Sequence, residues 1–328
     1  MRYKFAITGF VILAATLTAG KKKNPDDITQ TLELPKDPPA VAIGETRRLV
    51  FRVSPLSGKG LLTQQTRDAL RALIKDNAGA PVVHIRAFVA GSGDIRRVPQ
   101  IVSEVFGEKK LALPSVSVVL AGGLPLDNAQ VVIESISMAK REVNPAGLSF
   151  ITAEEATDPD PAAPMRPLLD RALAGLKAPD ALQVTCFVTS MNRPAELTAA
   201  ISARFPGAAI DLVQSQRAAY SAGASCEAVA RGTQVAAPKL AFTGTRVAFG
   251  AEEKPAALAF QRLDRDLTEA GADVSAIVMT NVYPLTRPVA AMVRRLRPAT
   301  AQMALIPFEG LASIDAGFAV DAVAVVPR

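Results

Sequence analysis

The sequence predicts an α+β chain made of three tandem copies of one unit, each a β-sheet covered by two helices. Three observations carry that reading. The strand Val82–Val89, which holds His84, has counterparts at residues 181–188 and 274–283. Each is followed by a turn, an amphipathic helix and a closing β run that carries an acid: Glu134, Glu227 and Asp321. Those acids stand 93 and then 94 residues apart, a regularity that a repeated unit of about 95 residues explains. The order strand, helix, strand, helix, strand, strand places two helices on one face of each sheet. The units fall at 46–143, 144–236 and 237–328, after a segment 1–20 and a linker 21–45.

Each element has a local reason. Residues 1–20 have the three parts of an export signal: basic Arg2 and Lys4, an apolar run over 5–17, and the small residues Thr18, Ala19 and Gly20. The run is shorter than the ~20 residues of a membrane span. Cleavage is therefore expected, giving a bacterial periplasmic or extracellular protein with no stable membrane insertion; an N-terminal membrane tether is the alternative. The linker is polar and rich in proline, with one short strand at 40–43.

In the first unit a strand at 48–53 precedes a glycine turn. Thr63 is placed to cap a helix to residue 76 that buries Leu70, Leu73 and Ile74. A second helix, 95–106, presents Ile95, Val98, Ile101, Val102 and Val105 at helical spacing, with Asp94 placed as its N-cap. Strands at 115–120 and 129–138 close the unit. The second unit runs through a strand at 148–152, an acidic, proline-rich connection at 154–164, helices at 165–176 and 194–205 about the strand 181–188, and strands at 210–214 and 223–230. The third has strands at 240–243, 274–283, 301–305 and 318–325, with helices at 256–270 and 287–296.

Composition excludes several functions. The chain carries a formal charge of +6, but only Lys21-Lys22-Lys23 is dense, and scattered basic residues make a solvated surface rather than a nucleic-acid footprint. One histidine and two cysteines cannot build a zinc ribbon or an iron–sulfur centre, so no metal and no cofactor are expected. Cys186 and Cys226 lie on predicted strands of the middle unit. They read either as a disulfide between neighbouring strands in an oxidising compartment or as two small buried residues. No phosphate loop, dinucleotide fingerprint or Gly-x-Ser-x-Gly elbow occurs.

Particular residues carry a family resemblance. Leu49-Val50-Phe51, Gln64-Gln65-Thr66-Arg67, the His84 strand, Pro114-Ser115-Val116-Ser117 and Leu124-Pro125 before Ile133-Glu134 resemble the RidA/YjgF family of imine deaminases. The third unit is similar through Phe242-Thr243-Gly244-Thr245, Ala259-Phe260-Gln261-Arg262-Leu263 and Val320-Asp321-Ala322-Val323. The resemblance implies a chorismate-mutase-like fold and a trimer whose sheets line a central β-barrel, with ligand clefts between subunits. Three fused copies then imply a monomeric chain acting as an intramolecular pseudo-trimer.

The reaction implied is hydrolysis of a 2-imino acid to a 2-keto acid and ammonia. An arginine fork on the substrate carboxylate and a carboxylate that positions water carry it. The matching positions are Val116, Ala208 and Thr300 for the arginine, and Val132, Ser225 and Ala319 for the carboxylate. None is suitable, so the expectation is a non-catalytic protein that binds a small metabolite or a partner in the clefts between units. The alternative is a 2-iminobutanoate/2-iminopropanoate deaminase that draws on other residues, with Glu134, Glu227, Asp321 and Arg297 as candidates. Thr152, Thr243, Thr245 and Arg246 are the candidate polar lining of a cleft, and His84 reads as a packed strand residue.

Overall fold

The computed structural model describes residues 35–217, 219–297 and 302–327. The segment 1–20 read as an export signal, most of the linker, and Thr300 lie outside them. Six helices and three sheets make up the described chain.

The first sheet has β2 (Leu49–Val53), β5 (Val131–Met138), β3 (Val82–Val89) and β4 (Ser115–Leu120) in that order. The second has β6 (Leu148–Thr152), β10 (Ala222–Arg231), β8 (Ala181–Val188) and β9 (Ala209–Gln214). In the third, the same order is filled by β11 (Lys239–Thr243), β15 (Ala316–Val326), β13 (Ile277–Pro284) and β14 (Gln302–Leu305). Within each sheet the two middle-of-sequence strands pair in parallel and the rest antiparallel. A helix bridges each parallel pair, as a parallel connection requires: α2 (Arg97–Glu108), α4 (Pro194–Arg204) and α6 (Arg287–Leu296).

Those helices and their partners α1 (Leu62–Asp76), α3 (Met165–Gly175) and α5 (Glu253–Glu269) cover the outer face of each sheet. Strand alternation decides what faces them. On β3, Ile85, Ala87 and Val89 go to the helices, while Phe88 belongs to an inner cluster with Phe187, Tyr283 and Phe308. That inner cluster and a second one around Phe51, Phe150 and Phe242 draw residues from all three sheets. The opening strand of each sheet lies against the parallel edge strand of another: β2 with β9, β6 with β14, and β11 with β4.

The expected closed barrel is not seen. The sheets remain separate ladders, joined by backbone bonds such as Gly122 N to Gln214 O at 2.7 Å, Leu120 N to Gly310 O at 2.9 Å and Thr245 N to Val116 O at 3.3 Å. The strand expected at 40–43 forms as β1 (Val41–Glu45), yet it pairs with β11, on the edge of the third sheet. Two short strands escaped the sequence reading: β7 (Ala156–Asp158), inside the proline-rich connection, and β12 (Arg246–Phe249). Residues 274–276 are a 3-10 turn held by Asp273 Oδ1, which accepts from Ser275 N at 2.7 Å. Neither expected cap forms: α1 starts after Leu61 with no side-chain cap, and Asp94 instead accepts from Arg96 N one turn ahead of α2.

Candidate functional site

Register brings the three regularly spaced acids into one layer. Arg86 faces Glu134, Thr185 faces Glu227, and Asn281 faces Asp321 across their ladders. Because their partner positions point inward, the acids point inward too, and all three are buried. Arg86 reaches across the sheets: Nε donates to Glu134 Oε2 at 2.6 Å and Nη2 donates to Glu227 Oε1. Thr185 donates its hydroxyl to Glu134 Oε1. Asp321 accepts from Asn281 Nδ2 at 2.8 Å and from the Tyr283 hydroxyl at 2.9 Å. Asp211, the parallel partner of Thr185, adds a fourth buried carboxyl within reach of Glu134.

One guanidinium cannot balance four carboxylates in a low-dielectric interior. Burial pushes the Asp211 carboxyl well up, and Glu134 adds to the shift. Burial raises Glu227 as well, with Arg86 opposing and Glu134 assisting, and raises Asp321 against its hydrogen bonds and Arg86. Arg86 stays charged: burial opposes the charge, but Glu134 and Glu227 outweigh it. Its guanidinium also lies 5.1 Å from the Phe88 ring centre, over the aromatic cluster that closes one side of the layer.

On the other side lies a cavity of about 60 Å³, bounded by His84, Gln183, Glu227, Asn281 and Phe242 among others. His84 Nδ1 is 3.0 Å from Ser115 Oγ, and Ser115 gives its hydrogen to Val83 O at 3.2 Å. Burial and the neighbouring Arg86 push the His84 pKa from 6.5 to about 3, so the ring is neutral.

A larger opening runs between the second and third sheets. It has a volume of about 720 Å³ and continues into a chamber of about 470 Å³. Thr152, Ser225 and Glu227 line it from the second sheet, Met303 from the third sheet, and Arg294 and Arg297 from α6 and the residue after it. Thr152 donates through its backbone N and its hydroxyl to Gln302 Oε1, at 3.0 and 2.8 Å. Arg297 is held by Asp264 Oδ1 at 2.8 Å over the Phe260 ring. Arg294, exposed on α6, makes no ion pair among the described residues. At the mouth, partial burial raises the Glu155 carboxyl, while Arg287 and Arg294 pull it down.

The sequence candidates therefore separate. Thr152, Glu227 and Arg297 meet in the cleft, whereas Glu134 and Asp321 lie in the central layer. The other three hold the third sheet: Thr243 Oγ1 accepts from Ala322 N at 2.9 Å, Thr245 N bonds to the first sheet, and Arg246 pairs with the buried Asp266. Register also corrects the arginine-equivalent positions. Val116 pairs with Ile85, and the matching pairs are Ile210 with Val184 and Met303 with Thr280, so Ile210 and Met303 replace Ala208 and Thr300. All three positions are apolar. Val132 and Ala319 are packed in the inner cluster, while Ser225 lines the cleft.

Sequence reasoning missed Arg86, Asp211, Asn281 and Arg294. A signal for two of them exists: His84-x-Arg86-x-Phe88, Gln183-x-Thr185-x-Phe187 and Met279-x-Asn281-x-Tyr283 align, and a polar residue followed by an aromatic at inward positions marks a buried network. Cys186 and Cys226 are opposite each other on β8 and β10 and are joined as a buried disulfide on the helix side of the second sheet. Among the described residues no group of three or more His, Cys, Asp or Glu side chains is arranged to hold a metal ion.

No family model matches the chain. No curated protein matches it either. Solved structures with similarity include a chorismatase, 10% identical with a TM-score of 0.43 over 87% of this chain and 77% of that one. A YjgF-family protein from Neisseria meningitidis is 20% identical over 27% of this chain and 81% of that one, with a TM-score of 0.25. One from Mycobacterium tuberculosis is 18% identical over 26% and 79%, with a TM-score of 0.24.

Proposed function

We propose that the chain is three fused RidA-like units forming an intramolecular pseudo-trimer, which binds a small carboxylate-bearing metabolite in the cleft between its second and third units without hydrolysing imines. The observation that carries this is the lining of the cleft. Arg294 brings a guanidinium with no ion pair among the described residues, the natural partner of a carboxylate. Ser225 adds a hydroxyl group in the same cleft. Met303 and Ser225 stand where the resemblance asks for an arginine and a water-positioning carboxylate, so the chemistry of that reaction has no groups to run on. The shared strand order of the three sheets supports the fused-unit reading. An exported fate, through residues 1–20, is supported by the disulfide, since such bonds persist in oxidising compartments.

Two measurements test this together. Ammonia release from freshly generated 2-iminopropionate and 2-iminobutyrate should not exceed buffer, and small carboxylates should bind by calorimetry. Arg294→Ala should weaken that binding about tenfold to a hundredfold, the range of a lost charged hydrogen bond. Rates near those of an ordinary deaminase would reject the proposal and turn attention to Glu227, which lines the same cleft.

A further inference from the structure

We propose that the cleft binds a dicarboxylic acid, with one carboxylate on Arg294 and the other on Arg287 in the adjoining chamber. The inference rests on the reading of Arg294 as the anchor for a carboxylate, and it adds a second anchor. Arg287 opens α6 and Arg294 lies in its last turn, so the two stand about 10.5 Å apart along the helix axis. Both line the chamber of about 470 Å³, and Arg294 also lines the opening that leads to it. Among the described residues Arg294 makes neither a side-chain hydrogen bond nor an ion pair, while Arg287 gives one N–H to Ser221 Oγ and makes no ion pair. A guanidinium carries five donors in a planar fork, so each keeps a face for a carboxylate.

The stretch between the two anchors is open and partly apolar. Ala291 falls on the same face of α6, four residues after Arg287 and three before Arg294, and its methyl group leaves the space between them free. Phe187, Leu305 and Ile306 border both the chamber and the opening. Methylene groups suit that stretch, because apolar walls favour their removal from water. Two acids also border the chamber. Glu155 lies near enough for both guanidiniums to pull its carboxyl down against burial, yet it forms an ion pair with neither, and Asp158 Oδ1 accepts from Asp160 N at 2.9 Å. These acids select among anions: a singly charged carboxylate on each arginine meets less repulsion from them than a doubly charged phosphate would.

Calorimetry on the full chain, at neutral pH and constant ionic strength, tests this with ligands matched in length: adipate against hexanoate, and suberate against octanoate. At least one dicarboxylate should bind about tenfold to a hundredfold tighter than its monocarboxylate, the range of one added charged hydrogen bond. Arg287→Ala should bring that dicarboxylate down to the affinity of the monocarboxylate. Ala291→Phe, which fills the span between the arginines, should do the same. Both positions are exposed, so neither change touches the core. Equal affinity within both pairs, or an advantage that survives Arg287→Ala, overturns the second anchor and leaves a single carboxylate on Arg294 standing. Failure of every carboxylate to bind removes both readings. Tighter binding of an analogue with a phosphonate in place of one carboxylate overturns the choice of a dicarboxylic acid.

Discussion

At the scale of single residues, the central layer holds its acids through one cation. Removing Arg86 leaves Glu134 and Glu227 buried with no positive partner, so Arg86→Met should cost about 3–5 kcal/mol. Denaturant melts check this, and adding Glu134→Gln with Glu227→Gln should recover most of the loss. His84 gives a prediction of opposite chemistry. Its pKa falls from 6.5 in the unfolded chain to about 3 in the folded one, so between those values the unfolded chain holds a proton that the folded chain refuses. Its contribution is present above pH 6.5 and is lost as pH falls. The raised carboxyls Asp211, Glu227 and Asp321 act the other way, since their folded forms keep protons that the unfolded chain releases as pH rises above the ordinary carboxylate range. Comparing wild type with His84→Gln isolates the histidine: wild type should lose about 1.4 kcal/mol per pH unit relative to the variant as pH drops through that window. A parallel pair of stability curves would sink the assignment. The acids themselves were legible in the sequence because their spacing is regular. Their partner was not, because Arg86 and Glu227 are 141 residues apart and nothing local announces that they meet.

At the scale of elements, strong periodicity translated well. The succession of the longer strands and all six helices along the chain follow from apolar spacing, with ends that moved by a few residues, as frayed termini do. What was missed is short or set by distant partners. β7 has three residues amid prolines and acids, and β12 has four; neither is long enough to show alternation. β1 was visible, but its partner was not, since pairing Val41 with Thr243 depends on where the third unit packs. That pairing covers an edge of the third sheet. Deleting residues 35–45 should expose the β11 edge, and unpaired edges recruit other chains. Size-exclusion chromatography with light scattering should then show concentration-dependent oligomers where the intact chain gives a single species.

At the scale of the whole molecule, the three sheets share an architecture but not a chemistry. Equivalent inward positions carry arginine, threonine and asparagine, and equivalent edge positions carry valine, isoleucine and methionine. Three sheets of one chain can vary these positions independently, and here one cation serves acids from two sheets. That the sheets stay separate instead of closing into the expected barrel was not legible, because closure depends on whether neighbouring edges bond, which pattern within a strand does not encode. The place of β1 also sets an order of events. During synthesis it emerges among the first folded residues, yet its partner strand follows some two hundred residues later. That segment must wait, unpaired, until β11 has been made. A clasp that spans so much chain is expected to be among the slow folding steps, because its closure must hold together ends that are far apart in sequence.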